Sequence, residues 1–321
     1  MTEFDIIRRF FTYPARGAVL GVGDDGAIVQ PRRGRDLIVS TDMMVEGRHF
    51  LRRSDPRQLG HKALAVNLSD MAAMGAEPRW ATLSIALPQV NARWLRAFMG
   101  GFMTLARRYG VDLIGGDTTR GPLSFSVQIM GEAPRGRALR RDGARAGDDI
   151  WVSGTLGDAA LALAGLQRRV SLPRGGRARL ERRLNAPAPR IALGTALRGI
   201  ARSAIDVSDG LAADLGHVCE RSRVGAIVQC ALLPASAVMR RMRDRPVARA
   251  AMLSGGDDYE LLFTAGRGRR AAIASLSRRL RLKLTRIGRI VARKRGPYTV
   301  TVLDGDDRPV ALGKTGYKHF S

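Results

Sequence analysis

Residues 55–117 read DPRQLGHKALAVNLSDMAAMGAEPRWATLSIALPQVNARWLRAFMGGFMTLARRYGVDLIGGD, and the punctuation of this stretch decides the fold class. Asp55 followed by Pro56 marks a helix start. The carboxylate can accept the first free amide N–H groups, and proline at the first helical position loses no hydrogen bond by lacking its own. Leu59, Ala63, Val66 and Met74 keep one face apolar, and Gly75 is the stop. Trp80 to Leu87 (WATLSIAL) reads as a strand. A second helix runs from Asn91 to Tyr109, with Trp94, Phe98, Phe102, Leu105 and Tyr109 on one face and Gly110 at its end, and Val111 to Ile114 is the next strand. Helix, strand, helix, strand in this order predicts a mixed α/β chain.

Working outward, Asp36 to Thr41 (DLIVST) and Ser124 to Gly131 complete the strands of the first half. Around residues 133–149 the composition turns rich in Arg and Gly and poor in apolar residues, which places a domain junction there. The expected architecture is therefore two-domain α/β, residues 1–136 and 137–321. The second half restarts with a strand at Ile150 to Ser153 and a Gly-Thr-x-Gly-Asp turn. A basic, proline-bearing connection (Arg168 to Arg190), a strand at Ser203 to Val207 and a helix capped near Ser208 and Asp209 follow. A strand at Tyr259 to Thr264, an amphipathic helix near Arg269 to Leu280 and a strand-rich end complete the chain. No period of about 20 to 50 residues repeats, so a solenoid is excluded.

The 321 residues are 45% hydrophobic, enough for real cores and too many for a disordered basic tail. The formal charge of +25 raises the question of a polyanionic partner. Only five of the 54 basic residues are lysines, a bias that coding preference for arginine produces as readily as selection does. Binding to nucleic acid calls for bases to stack on aromatic rings among the cations. Aromatics are 5% of this chain, and the runs Arg168 to Arg183, Arg240 to Arg249 and Arg267 to Arg295 hold almost none, which argues against that partner. Cys219 and Cys230 form no Cys-x-x-Cys pair and no disulfide framework, so a reducing cytoplasm fits. The N-terminus MTEFDIIRRFF has no apolar signal core, and the longest uncharged run, Val224 to Met239, is broken by Gly225, Gln229 and Pro234, so neither a signal peptide nor a membrane span is expected.

Acids are scarce and gather beside glycine: GVGDDGA, LIGGDTT, LSGGDDYE. Asp42, Asp117, Asp206 and Asp209 stand where apolar runs end, the place where ligands collect in α/β sheets. Asp70 interrupts an apolar helix, a costly position for a carboxylate without a partner. The Gly-Asp-Asp at 147–149 reads instead as an exposed turn before a strand. Carboxylates among glycines suit Mg²⁺ and phosphate: the hard cation takes oxygen ligands, and glycine lets main-chain N–H groups approach phosphate oxygens. The common nucleotide fingerprints are absent. GVGDDGA lacks the last glycine of a dinucleotide loop, and Gly313-Lys314-Thr315 has Arg308 where a P-loop needs glycine.

In order and spacing, GVGDDGAIV, STDMMVEGRHF, HKALAVNLSDMAAMGAEPRW, LIGGDTTRGPLSFSVQIMGE, GRALRRDGARAGD, VSGTLGDAALAL, AIDVSDGLAADLGHV, LSGGDDYELLFT and KTGYKHF resemble the thiamine-monophosphate kinase family, in the superfamily of aminoimidazole ribonucleotide synthetase. The resemblance implies ATP-dependent phosphorylation of thiamine monophosphate with several Mg²⁺ ions. It implies metal positions at Asp25, Ser40, Thr41, Asp42, Asp70, Asp117, Asp206 and Asp209, with Asp42 and Asp70 central to catalysis. It further implies nucleotide contacts at Gly116, Asp117, Arg141 and Ser208, and substrate contacts at His49, Asp257 and Tyr317. Asp257 stands where many members carry glutamate, one methylene longer. The architecture implied is an N-terminal metal- and ATP-binding domain whose sheet pairs with a second subunit, giving a homodimer, and a C-terminal α/β domain. Selenophosphate synthetase would need a cysteine near the N-terminus and the hydrogenase-maturation relative one at the C-terminus, and neither is present. Aminoimidazole ribonucleotide synthetase is the alternative within the superfamily, and a basic nucleic-acid-binding protein the alternative from another class.

Overall fold

The helix that begins after Asp55 forms as its ends dictate. The Gln58 N–H donates to Asp55 Oδ1 at 2.8 Å, and Gly75 takes the left-handed turn at φ 64°. The second helix is capped by Asn91, whose side chain accepts from the Arg93 and Trp94 N–H groups, and it ends at left-handed Gly110. The computed structural model describes residues 2–321 except 174, 243–244, 294–297, 312–315 and 317–321. The chain divides into two units, residues 1–71 with 76–138 and residues 72–75 with 139–321.

The first unit carries α1 (Glu3–Ile6) running into a π-helical turn (Ile7–Phe11), then β1 (Arg35–Val45), α2 (Pro56–Ala73), β2 (Glu77–Leu87), α3 (Ala92–Tyr109), β3 (Asp112–Arg120) and β4 (Ser124–Pro134). Its described strands form one sheet in the order β1-β4-β2-β3, antiparallel except for the parallel pair β2 and β3. One face of the sheet is buried. Phe125 meets Phe98 of α3 edge-on at 5.3 Å and stacks on Phe50 at 5.4 Å. Burying side chains such as Leu64, Leu68, Phe98 and Phe102 is worth about 1.5–3 kcal/mol each, which is what holds the two helices to the sheet. The opposite face exposes Leu37, Val39, Thr41 and Met43 of β1, Gln128 of β4 and Ser84 of β2.

The second unit carries β5 (Asp149–Ser153), α4 (Asp158–Leu166), α5 (Arg177–Asn185), α6 (Ile191–Leu197), β6 (Ser203–Asp206), α7 (Leu211–Ser222), β7 (Gly225–Gln229), α8 (Ala237–Arg241), α9 (Pro246–Ser254), β8 (Leu261–Ala265), α10 (Arg270–Leu280), β9 (Leu284–Val291) and β10 (Val300–Leu303). Its described strands form a sheet in the order β10-β7-β9-β5-β8-β6. No helix of the described residues is long and apolar enough to cross a membrane.

Three local expectations are corrected. The basic connection after Arg168 contains a helix, α5, because Leu180 and Leu184 are buried one turn apart. The helix expected to be capped by Ser208 and Asp209 begins at Leu211, with Gly210 as the cap residue and no side-chain cap bond. The Gly-Asp-Asp at 147–149 is a turn whose acids are buried. Asp148 pairs with Arg202 at 3.0 Å, and Asp149 pairs with Arg270 at 2.6 Å and Arg286 at 3.4 Å. The Arg270 hydrogen bond outweighs burial and, with Arg286, holds Asp149 below the ordinary carboxylate range.

Candidate functional site

In the first unit the candidate residues of β1 divide by strand alternation. Ser40 and Asp42 face α2, while Thr41 faces the exposed side with Leu37, Val39 and Met43. On the helix-facing side, Ser40 Oγ donates to Asp70 Oδ2 at 2.6 Å, and Asn67 Oδ1 accepts the Asp42 N–H at 3.1 Å. Asn67 and Asp70 stand three apart on α2, so one face of the helix reaches two alternate residues of the strand. The Thr41 hydroxyl instead lies 3.2 Å from Ser126 Oγ, so only its main chain reaches the Asp42 side. His49 sits in the turn after β1, and its Nδ1 accepts the Val45 N–H at 3.0 Å, which in the neutral ring places the proton on Nε2.

A cavity of about 820 Å³ opens at the β3 edge of the same sheet. Its lining combines apolar Phe4, Ile7, Phe11, Leu113 and Ile114 with the glycine-rich segment Gly21 to Gly26 and with Gly115, Gly116 and Asp117. The N-terminal segment is strapped across this edge: the Gly17 N–H donates to Asp112 Oδ2 at 2.6 Å and Trp80 Nε1 to the Gly17 carbonyl at 2.8 Å. Gly116 has φ 149°, and a Cβ there would collide with the Leu83 carbonyl, so β2 and β3 approach closely only because this residue has no side chain. The lining carries the carboxylates Asp24, Asp25 and Asp117 with the guanidinium of Arg8, itself paired to Asp5 at 2.8 Å. Such a set repels a bare polyphosphate. It suits a phosphate that arrives with Mg²⁺, since its donors are hard oxygens. Among the described residues no three His, Cys, Asp or Glu converge as a complete metal cage. A cation that keeps waters and shares phosphate oxygens does not need one.

The structure brings Asp25, Gly116 and Asp117 together, and separately Ser40, Asp42 and Asp70. Between them stand β4 and β2, three strand spacings or about 14 Å. Asp117 is in register with Ser84 on the exposed face, whereas Asp42 faces α2.

In the second unit the candidate residues lie on two loops stapled to each other. Asp206, nearly fully buried, ends β6, and Ser208 and Asp209 follow it. The Asp257 N–H donates to the Ser208 carbonyl at 2.9 Å and the Tyr259 N–H to the Val207 carbonyl at 2.8 Å. Asp214, on the first turn of α7, accepts the N–H groups of Ser208, Asp209 and Gly210 at 3.1, 3.2 and 3.0 Å. Burial, with the nearby Asp209 carboxylate, pushes Asp214 up to about 7 against these three bonds. The second loop is anchored by fully buried Glu260, which accepts from Ser153 Oγ at 2.5 Å, Arg183 at 2.6 Å and Arg190 at 2.7 Å. Burial alone would raise Glu260, but Arg190 and Arg183 outweigh it and hold the group below its usual range. Asp258, also fully buried, accepts the Gly157 N–H at 2.7 Å, and burial pushes its carboxyl well above the usual range.

Arg141 is exposed, with its carbonyl accepting from Ser222 Oγ at 2.7 Å. Tyr317 lies outside the described residues. Sequence reasoning gave no role to Asn67, Asp214, Tyr259 or Glu260. The available signal was the same for Asn67 as for Asp70, a polar side chain in an apolar helix.

Residues 23–133 match the family AIR synthase related protein, N-terminal domain, and residues 145–300 the family AIR synthase related protein, C-terminal domain. The chain is 45% identical to the thiamine-monophosphate kinase of Escherichia coli strain K12, over 99% of this chain and 98% of that one. A crystal structure of thiamine-monophosphate kinase from Stenotrophomonas maltophilia is 48% identical with TM-score 0.85, covering 94% of this chain and 96% of that one. A structure of AaThiL complexed with AMPPCP and TMP is 32% identical with TM-score 0.78, covering 99% and 96%.

Proposed function

The chain belongs to the thiamine-monophosphate kinase family, within the AIR synthase related proteins, and from that premise we propose that it transfers the γ-phosphoryl group of ATP to the phosphate of thiamine monophosphate, giving thiamine diphosphate and ADP. The observation that carries this reading is the cavity at the β3 edge, lined both by apolar side chains fit for a base and by glycine main chain with Asp25 and Asp117. The solved relative that holds AMPPCP and TMP supports it.

The acceptor is itself a phosphate monoester with a second pKa near 6, so its attacking oxygen is already anionic at neutral pH. No side chain has to remove a proton. The obstacle is the meeting of two anions, a repulsion of about 4 kcal/mol per pair of unit charges at 4 Å and an effective dielectric near 20. Mg²⁺ ions, if bound, would neutralise this charge; Asp25 and Asp117 at the β3 edge, Ser40, Asp42 and Asp70 with the main chain of Thr41 at β1, and Asp206 and Asp209 of the second unit would be the residues that hold them. Gly116 admits the phosphate chain to the main chain, Arg141 and Ser208 support the nucleotide, and His49, Asp257 and Tyr317 orient the acceptor. The transfer is in-line and direct, without a phosphoenzyme. The first domain, 1–136, binds metal and nucleotide, and 137–321 forms the C-terminal domain.

The exposed face of β1, with Leu37, Val39 and Met43 at 41%, 51% and 60% exposure, supports a homodimer in which this face is covered by a second copy. Incubation with MgATP and thiamine monophosphate tests the activity: thiamine diphosphate is the expected product, and its absence would overturn the reading. Radiolabel from γ-labelled ATP is expected to leave with the product; label retained on acid-quenched protein would rule out direct transfer.

A further inference from the structure

Two non-glycine residues two positions apart adopt left-handed backbone, Asp257 at φ 68° and Tyr259 at φ 49°. Aspartate tolerates this region, but a bulky tyrosine gains nothing locally from it, so surrounding structure must impose the conformation. The neighbours that impose it are on the page. Asp258 and Glu260 point into the core, pinned by the Gly157 N–H and by Ser153, Arg183 and Arg190. The main chain of 257 and 259 is pinned in turn to Ser208 and Val207. A side chain at Gly154 would occupy the Glu260 carboxylate, so the anchor fits only against glycine. Even-numbered residues therefore hold the segment, and the two odd-numbered ones are left half-buried on its other side. There they meet: Tyr259 Oη donates to Asp257 Oδ1 at 3.1 Å.

We propose that Tyr259 is a positioning residue for acceptor binding, its phenol holding the Asp257 carboxylate in the orientation that contacts thiamine monophosphate. This rests on the reading of Asp257 as an acceptor contact. Aspartate at this position reaches one methylene less far than glutamate would, so fewer orientations of its carboxylate can touch the ligand. A bond from a rigid phenol selects among them. The backbone strain is then the means by which Tyr259 is set beside a residue two positions away, which an extended strand would also place on the same face but without the curl that brings hydroxyl to carboxylate.

The test is Tyr259→Phe, which removes one hydroxyl and keeps the ring, together with Asp257→Ala and the double variant. Tyr259→Phe is expected to raise KM for thiamine monophosphate about tenfold, the scale of a lost hydrogen bond to a charged group, while KM for ATP stays within about twofold. In the Asp257→Ala background the second substitution is expected to add nothing, because the carboxylate it orients is gone. A purely structural role predicts otherwise: a lowered thermal midpoint with both KM values moved together, or an additive double variant, and either result overturns the proposal. If Asp257→Ala itself leaves KM for the acceptor unchanged, the reading of Asp257 has failed. If Asp257→Ala raises that KM and Tyr259→Phe does not, the reading stands and the role of Tyr259 is refuted. Isothermal titration of thiamine monophosphate into the same proteins gives the comparison independently of turnover.

Discussion

At the scale of single residues, the proposed chemistry turns on carboxylates whose surroundings differ sharply. Asp70 was conspicuous in its apolar helix, and the physical reason it survives there is the Ser40 hydroxyl at 2.6 Å, thirty positions away in the chain. Asp42 is placed by Asn67, which is almost fully buried and also donates to the Ala63 carbonyl at 3.0 Å. Asp42→Asn keeps size and shape and removes the charge. It is expected to lower kcat by about a hundredfold or more, with an unchanged far-ultraviolet spectrum and melting midpoint. Turnover near wild type in that variant would remove Asp42 from the mechanism. Asn67→Ala takes the acceptor from the Asp42 N–H, and leaving that group unsatisfied costs about 1–3 kcal/mol, measurable by urea denaturation. The pairing partners Ser40 and Asn67 were not legible, because nothing in the order of residues says which helix face will meet which strand register.

Among the elements, those whose ends carry their own signals were read well. Asp55, Gly75, Asn91 and Gly110 bound α2 and α3 as expected, since a cap and the amide it satisfies lie within one turn of each other. Helix α5 was missed for the opposite reason. Its sequence RARLERRLN has two apolar residues among charges, too sparse a period to mark a helix, and it is held by packing of Leu180 and Leu184 in the second unit's core. The start of β8 was set too early, at Tyr259, because left-handed backbone at 257 and 259 delays regular pairing to Leu261. The crossing of α2 and α3 is close enough that a Cβ on Gly60 would strike the Phe98 carbonyl and one on Gly101 the Arg57 carbonyl. Neither obstacle is a flexible side chain. Gly60→Ala and Gly101→Ala are therefore each expected to destabilise by about 1–3 kcal/mol or more, although alanine favours isolated helices, and a higher denaturation midpoint in either would show that the helices can separate without cost.

For the whole molecule, five of the 54 basic residues gather on three buried acids: Glu132 with Arg32, Asp149 with Arg270 and Arg286, and Glu260 with Arg183 and Arg190. Asp149 and Glu260 are held below their ordinary range in the folded chain. The stability they contribute is complete above the unfolded carboxylate values near 4 and is lost as pH falls through and below them. Asp258 has the opposite sign. Its raised value means that the folded chain binds that proton more tightly, so its contribution is present at low pH and fades as pH rises through the folded value. The melting midpoint is therefore expected to drop steeply below about pH 4 and to decline gradually as pH rises above the ordinary carboxylate range. Asp214, pushed up to about 7, adds to the same decline; Asp258→Asn, fixed in the neutral form, should make that decline shallower and leave the acid limb unchanged, and an unchanged decline would mean that Asp214 or another group governs it. The exposed β1 face gives a second expectation at this scale. Val39→Lys should convert a dimer to a monomer in sedimentation equilibrium, and a monomeric parent chain would overturn the assignment of that face.

Some properties of this protein were settled by the order of its residues. Helix caps, strand alternation, and glycines beside carboxylates all act within a few positions of one another, so the mixed α/β class, the ends of α2 and α3 and the collection of acids near phosphate-compatible main chain could be read directly. Tertiary structure alone decided which carboxylates share a neighbourhood. Thr41 turned away from Ser40 and Asp42 because a strand alternates its faces, and Asp25 and Asp117 came to the β3 edge while Asp42 and Asp70 lay at β1, since the strand order puts β4 and β2 between them. Glu260 found Arg183 and Arg190 across more than seventy and exactly seventy positions, and that clamp curls the segment until Tyr259 touches Asp257. Such pairings depend on how distant segments cross, and the energy that selects them comes from the burial of the whole core and not from any short stretch of it.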